Sequence, residues 1–405
     1  MRRVVKAVAI AVLLGVAGIA LLVGSLWLER GTEVTLPTPT GPLAVGRATY
    51  AWADAATMDT HAPVPGAKRE LLVWIWYPAI PAPSAAKDDY VPAQMRTAAG
   101  PSRGPMKLVT RELSNVHGHS TRDSDVSPQS ASYPVVIMRA GASAGVVGYS
   151  TLAEDLASHG YIVVGFDAPY RTNVVVFPDG RVMRRTPENN PETCAAKAQA
   201  EQAACMNTLL GAWTGDVAFV LDRLTRLNSF DVAGKFTGRL DMARVGVFGH
   251  SFGGATAAQF CHDDSRCKAA IDLDGQPFGS VVQGGLRQPF MFVLSDHQTQ
   301  APDPETRQIL ANIQSIFDRL PADSRQRIVI RGANHFLFSD DGAVMKSQLL
   351  LRILRLFGVI GIEGRRQVAV TAYAVHSFFD RHLKGTGTTP LNLSSPLYPE
   401  IRAFE

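Results

Sequence analysis

The chain of 405 residues is long enough for one large domain with additions, and its contents of 46% hydrophobic and 19% charged residues are typical of a globular protein. Its formal net charge of +4 is small for this length. Outside the first six residues the basic side chains are scattered, which argues against a nucleic-acid partner.

The first 28 residues have the pattern of a membrane anchor. A basic hexapeptide that includes Arg2, Arg3 and Lys6 precedes Ala7–Leu28, a run of 22 residues without a charge. As a helix this run is about 33 Å long, and a bilayer core is about 30 Å thick. We predict an uncleaved signal anchor over residues 1–28, with a periplasmic or extracellular remainder. A cleaved signal peptide is the alternative, although its apolar region is usually no longer than about 15 residues.

The rest of the chain is divided into a linker over residues 29–45, rich in Pro, Thr and Gly, and a folded domain over residues 46–405. Apolar runs that alternate with helical patterns predict an α/β domain, with a mostly parallel sheet covered by helices on both faces. The polar, proline-interrupted segment 82–132 is expected to be irregular. The predicted strands are 71–77, 135–138, 161–166, 245–248, 269–274, 289–296 and 327–331, and the predicted helices include 149–156, 206–227, 343–357 and 367–383.

Four cysteines agree with an oxidising compartment. Cys194 and Cys205 are close in sequence, as are Cys261 and Cys267, so two local disulfides are the simplest of the three possible connectivities. No C-x-x-C motif occurs. We therefore expect structural bridges rather than a redox or zinc site.

The stretch Gly249–Gly253 has the sequence G-H-S-F-G, which matches the G-x-S-x-G pattern. An apolar run precedes it and small helix-forming residues follow it, which is the strand–turn–helix context that a nucleophile elbow requires. The turn would expose the Ser251 oxygen above the sheet. The amide of Phe252 opens the helix and could stabilise an oxyanion. The motif predicts an α/β-hydrolase fold with Ser251 as the nucleophile.

A serine nucleophile needs a histidine base that an acid orients, and this fold has them in the chain order Ser, acid, His. His335 follows the last predicted strand, where the base belongs. Asp272, Asp274 and Asp296 end strands between Ser251 and His335, and spacing alone leaves them open with a slight preference for Asp296. The weaker alternatives for the base are His297, His376 and His382.

Several segments resemble the secreted, plasma-type platelet-activating factor acetylhydrolases, an α/β-hydrolase family. The likeness covers roughly residues 65–385 and is carried by Gly249–Thr256, Leu156–Val163, Arg266–Asp272, Pro277–Gly279 and Phe378–Gly385. By this resemblance the acid falls on Asp272, the base on His335, and the oxyanion amides on Phe252 and Ala142. The resemblance therefore favours Asp272 as the acid, with Asp296 second and Asp274 third. The family usually has His-Gly where this chain has Ala140-Gly141.

The resemblance implies a serine esterase that acts on lipid esters, such as phospholipids with a short or oxidised sn-2 acyl chain. We expect neither a cofactor nor a metal ion, since His117 and His119 form an H-x-H pair with no third ligand at metal-site spacing. Such an enzyme would bind its substrate and the membrane, and its oligomeric state is open. The alternatives are a broad carboxylesterase, similar to dienelactone or polyester hydrolases, and an inactive hydrolase-fold binding module.

Overall fold

The computed structural model describes residues 2–100, 111–296, 303–344, 348–358, 361–386 and 395–404. The strands are β1 (Val34–Thr35), β2 (Ala44–Met58), β3 (Lys68–Ile80), β4 (Lys87–Asp89), β5 (Val116–Arg122), β6 (Asp125–Val126), β7 (Tyr133–Arg139), β8 (Ile162–Asp167), β9 (Val174–Val176), β10 (Val182–Arg184), β11 (Leu240–His250), β12 (Cys267–Leu273), β13 (Phe290–Ser295), β14 (Arg325–Ile330) and β15 (Ile401–Ala403). The helices are α1 (Arg2–Arg30), α2 (Ala93–Ala99), α3 (Ser150–Ser158), α4 (Pro191–Ala195), α5 (Gln199–Ser229), α6 (Phe252–Asp263), α7 (Val281–Gly284), α8 (Pro304–Arg319), α9 (Asp341–Val344), α10 (Gln348–Leu356) and α11 (Gly364–Phe379).

One large sheet organises the domain. In the described part of the chain it has 13 strands, in the order β1-β5-β2-β3-β8-β7-β11-β12-β13-β14-β15, with β4 beside β5 and β6 beside β3. From β8 to β14 every neighbouring pair in this order is parallel. Antiparallel pairs flank this centre, between β2 and β3, β3 and β8, and β14 and β15. The prediction of a mostly parallel sheet is confirmed.

The two faces of the sheet carry separate apolar cores, because successive strand residues point to opposite sides. On β7, Val136 and Met138 belong to a core that includes residues of α3 and α11. Val135 and Ile137 belong to the other core, with residues of α5, α6 and α8. Helices thus cover both faces, as predicted, and the parallel strands end together at one edge of the sheet.

The segment predicted as a linker, residues 29–45, is packed against the domain over its second half. Leu36 is only 1% exposed. The Thr40 hydroxyl donates to Asp155 Oδ1 at 2.8 Å. Residues 82–132, predicted to be irregular, also contain ordered elements, namely β4, α2, β5 and β6. Neither segment has an apolar period of its own, so its order comes from contacts with the rest of the domain.

Two helices in the described ranges are long and apolar enough to cross a bilayer. One is Glu201–Ser229, which is partly buried in the domain. The other is α1, whose most apolar window has no buried residue. An N-terminal helix of this kind is typical of a membrane anchor or of a signal peptide.

Both predicted disulfides are present. Cys194 pairs with Cys205 and joins α4 to α5. Cys261 pairs with Cys267 and joins the end of α6 to the start of β12. The first bridge lies beside Trp213 in a small apolar cluster that also contains Phe252, so it supports the side of the fold next to the elbow.

Removing the bridges should destabilise the fold through the unfolded chain. We expect Cys194→Ala with Cys205→Ala, which opens a loop of 11 residues, to lower the free energy of unfolding by about 3 kcal/mol. The matched pair Cys261→Ala with Cys267→Ala opens a loop of 6 residues and should cost about 2 kcal/mol. Urea unfolding measures both. Unchanged midpoints, or a larger effect from the shorter loop, would contradict this account.

Candidate active site

Ser251 lies on a strained turn between β11 and α6. Its φ of 55° and ψ of −124° fall in a region that residues with a side chain rarely adopt. The chain can turn this sharply because Gly249 and Gly253 are glycines. A Cβ on Gly249 would lie 2.3 Å from the Gly253 carbonyl carbon, and one on Gly253 would lie 2.5 Å from the carbonyl oxygen of Ala140. This is the geometry that the G-x-S-x-G pattern predicts for an elbow.

His335 follows β14 and faces the serine. Its Nε2 lies 3.2 Å from Ser251 Oγ. The loop is held by Gln367 of α11, whose side-chain amide donates to the Asn334 carbonyl at 2.8 Å and accepts from the Asn334 N–H at 3.0 Å. Gln367 is fully buried. Sequence reasoning missed this support, because a glutamine inside an amphipathic helix carries no motif.

Asp274 is the acid that contacts the histidine. His335 Nδ1 lies 2.7 Å from Asp274 Oδ2, and a carboxylate in this position accepts the ring N–H. With its proton on Nδ1, the neutral ring has a lone pair on Nε2 that can accept the hydrogen bond of the Ser251 hydroxyl. Asp274 Oδ1 also accepts the Ser295 N–H at 2.7 Å. Asp274 has a φ of 56°, which turns the chain out of the β12 direction just before Gly275. The Asp-Gly dipeptide is the sequence signal for this turn.

The expectation that Asp272 binds His335 is wrong. Asp272 is buried under the elbow, where its Oδ1 accepts the Gly275 N–H at 2.7 Å. The carboxyl has room there because residue 254 is a glycine. A Cβ on Gly254 would lie 1.9 Å from Asp272 Oδ1. Burial raises the pKa of the Asp272 carboxyl well above its usual range, and the charge of Asp274 adds to the shift. The ring nitrogen of His335 binds Asp274, and the Asp272 carboxyl binds a backbone amide of the turn below it.

The second choice, Asp296, binds the backbone of the loop before His335. Its Oδ2 accepts the Gly332 N–H at 2.7 Å, and its own N–H donates to the Ala333 carbonyl at 3.3 Å. Asp296 therefore fixes the loop that carries His335 and is not the partner of the ring. The slight preference that spacing gave to Asp296 fails because the end of β12 is closer to the histidine ring.

The amides of Phe252 and Ala142, predicted to form an oxyanion hole, belong to elements on either side of Ser251. Phe252 is the first residue of α6, so its N–H has no acceptor in the preceding turn. Ala142 lies in the loop after β7. A Cβ on the neighbouring Gly141 would lie 3.4 Å from Ser251 Cβ, so this loop passes directly over the serine.

A buried tyrosine and histidine support the loop at Gly141. The Gly141 N–H donates to the Tyr149 hydroxyl at 3.1 Å, and that hydroxyl lies 2.8 Å from His250 Nδ1. Burial lowers the pKa of the His250 imidazole to about 3, and the charge of His335 contributes. Neutral His250 accepts the tyrosine proton at Nδ1, so the three groups form one chain of hydrogen bonds. This chain provides side-chain support for the loop at Ala140-Gly141.

A cavity of about 650 Å³ opens onto the serine. Ser251 and His335 lie in its wall together with Ala142 and Phe252. Its apolar wall includes Tyr90, Val91, Met95 and Leu113. The segment expected to be irregular therefore helps to shape the substrate pocket.

Of the remaining histidine candidates, His376 lies in α11 and His382 in the turn that follows it, where its ring packs on Phe378 at 4.6 Å. His297 is outside the described residues. His376 Nδ1 lies 2.9 Å from Asp155 Oδ2, and its ring stacks on that of His159 at 4.0 Å. These three residues form a group that could hold a metal ion, since one ligand atom from each lies within 4.8 Å of the others. Hydrogen bonds join Asp155 to Thr40 and to His376, so the group links α3, α11 and the segment before β2.

The chain is similar to known ester hydrolases. The sequence model of the family described as "Platelet-activating factor acetylhydrolase, isoform II" matches residues 29–175 and 188–386. The probable 1-alkyl-2-acetylglycerophosphocholine esterase of Arthroderma benhamiae is 24% identical over 94% of this chain and 97% of its own length. The platelet-activating factor acetylhydrolase of Cavia porcellus is 29% identical over 51% of this chain, which spans 48% of that relative.

A solved structure has a similar fold. The ferulic acid esterase from Streptomyces cinnamoneus superimposes with a TM-score of 0.73 and 27% sequence identity. The match covers 92% of this chain and 100% of that one. The prediction of a hydrolase fold is confirmed by this similarity.

The two neighbouring acids should respond differently to substitution. We expect Asp274→Asn to lower kcat by about 10⁴-fold, because asparagine would favour the wrong tautomer of His335. The matched change Asp272→Asn should lower kcat far less, because Asp272 binds the Gly275 N–H while the His335 ring nitrogen binds Asp274. Steady-state kinetics on a chromogenic ester measure both effects, and circular dichroism checks that each variant folds. A large loss in Asp272→Asn with activity retained in Asp274→Asn would refute the assignment.

Proposed function

Because the chain belongs to the platelet-activating factor acetylhydrolase family, we propose that it is a membrane-anchored serine esterase acting on phospholipids with a short or oxidised sn-2 acyl chain. Ester hydrolysis is the activity by which its relatives are named. The observation that carries the proposal is the line of contacts from Ser251 through His335 to Asp274, at 3.2 and 2.7 Å.

In the proposed first step, Ser251 Oγ attacks the ester carbonyl carbon and its proton passes to His335 Nε2. The carbonyl oxygen becomes an oxyanion, which the N–H groups of Phe252 and Ala142 stabilise. Asp274 Oδ2 accepts the Nδ1–H of the imidazolium and holds the ring in place. The ester bond then breaks, and the alcohol, here the lysophospholipid, leaves with the proton from His335. An acyl group remains on Ser251.

In the second step, water replaces the alcohol and the same groups act again. His335 Nε2 takes a proton from the water as its oxygen attacks the acyl carbon. The second oxyanion is held by the same two amides. When the bond to Ser251 breaks, the proton on His335 returns to Oγ and the free acid leaves. The enzyme is then restored with neither a cofactor nor a metal ion consumed.

The shape and lining of the cavity support a lipid ester as the substrate. A volume of about 650 Å³ is within the range of pockets for drug-sized ligands. Met95, Leu113 and Phe336 line it with apolar surface, while Asn173 and Gln276 add polar groups. An acyl chain with a polar or oxidised end needs both kinds of wall. The apolar helix α1 supports the second half of the proposal, that the enzyme is anchored in a membrane facing the periplasm or the cell exterior.

A broad carboxylesterase is the second candidate, because the structural neighbour is named as a ferulic acid esterase. Hydrolysis rates across phospholipids with sn-2 chains of increasing length, and across feruloyl and simple aryl esters, separate the two. A preference for short or oxidised sn-2 chains would support the phospholipid assignment. A preference for feruloyl esters, with no phospholipid hydrolysis, would favour the alternative.

Removal of the nucleophile tests the chemistry itself. We expect Ser251→Ala to lower kcat/KM for ester hydrolysis by several orders of magnitude and to abolish covalent labelling by a fluorophosphonate probe. The matched control Ser229→Ala, at the exposed end of α5, should keep both. Retention of more than a few per cent of activity in Ser251→Ala would contradict the proposal, as would equal labelling of the two variants.

A further inference from the structure

The end of α1 is joined to the rim of the catalytic cavity. Arg30 Nη2 donates to Glu112 Oε1 at 2.9 Å. From the neighbouring position, Arg111 Nη1 donates to the Glu29 carbonyl at 3.0 Å. Leu113, the residue after Glu112, lines the same cavity as Ser251. The helix end and the cavity rim are therefore parts of one surface.

The domain also contacts part of the apolar run of α1. Residues 2–21 are exposed, whereas Leu26, in the last turns of the helix, is only 5% exposed. The uncharged residues that precede these contacts, Ala7–Leu21, span only about 22 Å as a helix, less than the bilayer core of about 30 Å. The part of α1 that touches the domain is therefore needed to complete a membrane span.

Two features mark the level of the lipid headgroups. Trp27 is 68% exposed beside the buried Leu26, and tryptophan is enriched at membrane–water interfaces. Arg30 follows within one further turn of α1, and its ion pair with Glu112 suits the polar headgroup region. The rim also carries exposed apolar side chains, since Leu113 is 37% and Phe336 is 73% exposed.

Resting on the proposed function, we infer that the cavity mouth lies on the outer surface of the bilayer that α1 crosses, and that the enzyme takes its phospholipid substrate directly from that leaflet. The sn-2 ester of a phospholipid lies near the boundary between headgroups and acyl chains, the depth at which Trp27 places the rim. The substrate then reaches Ser251 without leaving the bilayer for water. The exposed apolar side chains at the rim, Leu113 and Phe336, then contact the lipid surface.

The experiment moves the rim away from the membrane. The full chain is reconstituted into vesicles of phosphatidylcholine that contain a phospholipid with a long sn-1 chain and a short fluorescent sn-2 chain. A flexible Gly/Ser insertion of about 20 residues after Gly31, with an average span of roughly 25 Å, separates α1 from the domain. We expect hydrolysis of the lipid to fall about tenfold, because the substrate is no longer held at the cavity mouth. Hydrolysis of p-nitrophenyl acetate, which is water-soluble, should stay unchanged.

Two controls make the outcome specific. The same insertion after Gly66, in an exposed turn between β2 and β3, should leave both activities unchanged. Wild-type enzyme should hydrolyse the lipid in its own vesicles about tenfold faster than the same lipid in separate vesicles. Equal rates in the two vesicle arrangements, no effect of the insertion after Gly31, or a mature chain that starts after residue 28 would overturn the inference. Failure of the wild type to hydrolyse p-nitrophenyl acetate would instead count against the esterase proposal on which it rests.

Discussion

The hydrogen bond of 2.7 Å between His335 and Asp274 connects the loops on which the site depends. Asp274 follows β12 and His335 follows β14, while Ser251, at the other nitrogen of the ring, follows β11. These strands are parallel and lie together in the sheet, so their carboxyl ends meet at one edge. The Asp274 carboxylate also binds the Ser295 N–H and thereby ties β13 into the same constellation. A displacement of any one loop would lengthen the path from nucleophile to acid.

Three aspartates at this edge have different tasks, which their surroundings decide. Asp274 has a partner that becomes positively charged during the proposed reaction, and it remains the acceptor for that proton. Asp272 is shielded from solvent beside glycines that leave space for its carboxyl, and burial raises the pKa of that carboxyl well above its usual range. Asp296 accepts a backbone N–H in the loop of the base. Asp272 binds a backbone amide of the turn after Asp274, while Asp296 and Gln367 of α11 bind the backbone of the loop that carries His335.

The sequence predicts the features that depend on short local patterns. The parallel sheet follows from apolar runs, the turn at Ser251 from its glycines, and the disulfides from the nearest cysteines. It could not predict the acid, because the choice depends on the positive φ of Asp274. This angle takes the Asp274 side chain out of the alternating pattern of strand β12, to which Asp272 belongs. It also missed β2, a strand rich in alanine and polar residues that is ordered by pairing with β3 along its length. Long-range partners of this kind leave no periodicity in the chain.

Proton NMR of the His335 Nδ1–H tests the central claim most directly, because a proton shared between an imidazole and a carboxylate resonates far downfield of ordinary amide protons. The account predicts such a signal in the wild type at a pH where the ring is protonated. It should persist in Asp272→Asn and in Asp296→Asn, and it should disappear in Asp274→Asn. Loss of the signal in Asp272→Asn, with the signal retained in Asp274→Asn, would contradict the assignment of the acid and the geometry built on it.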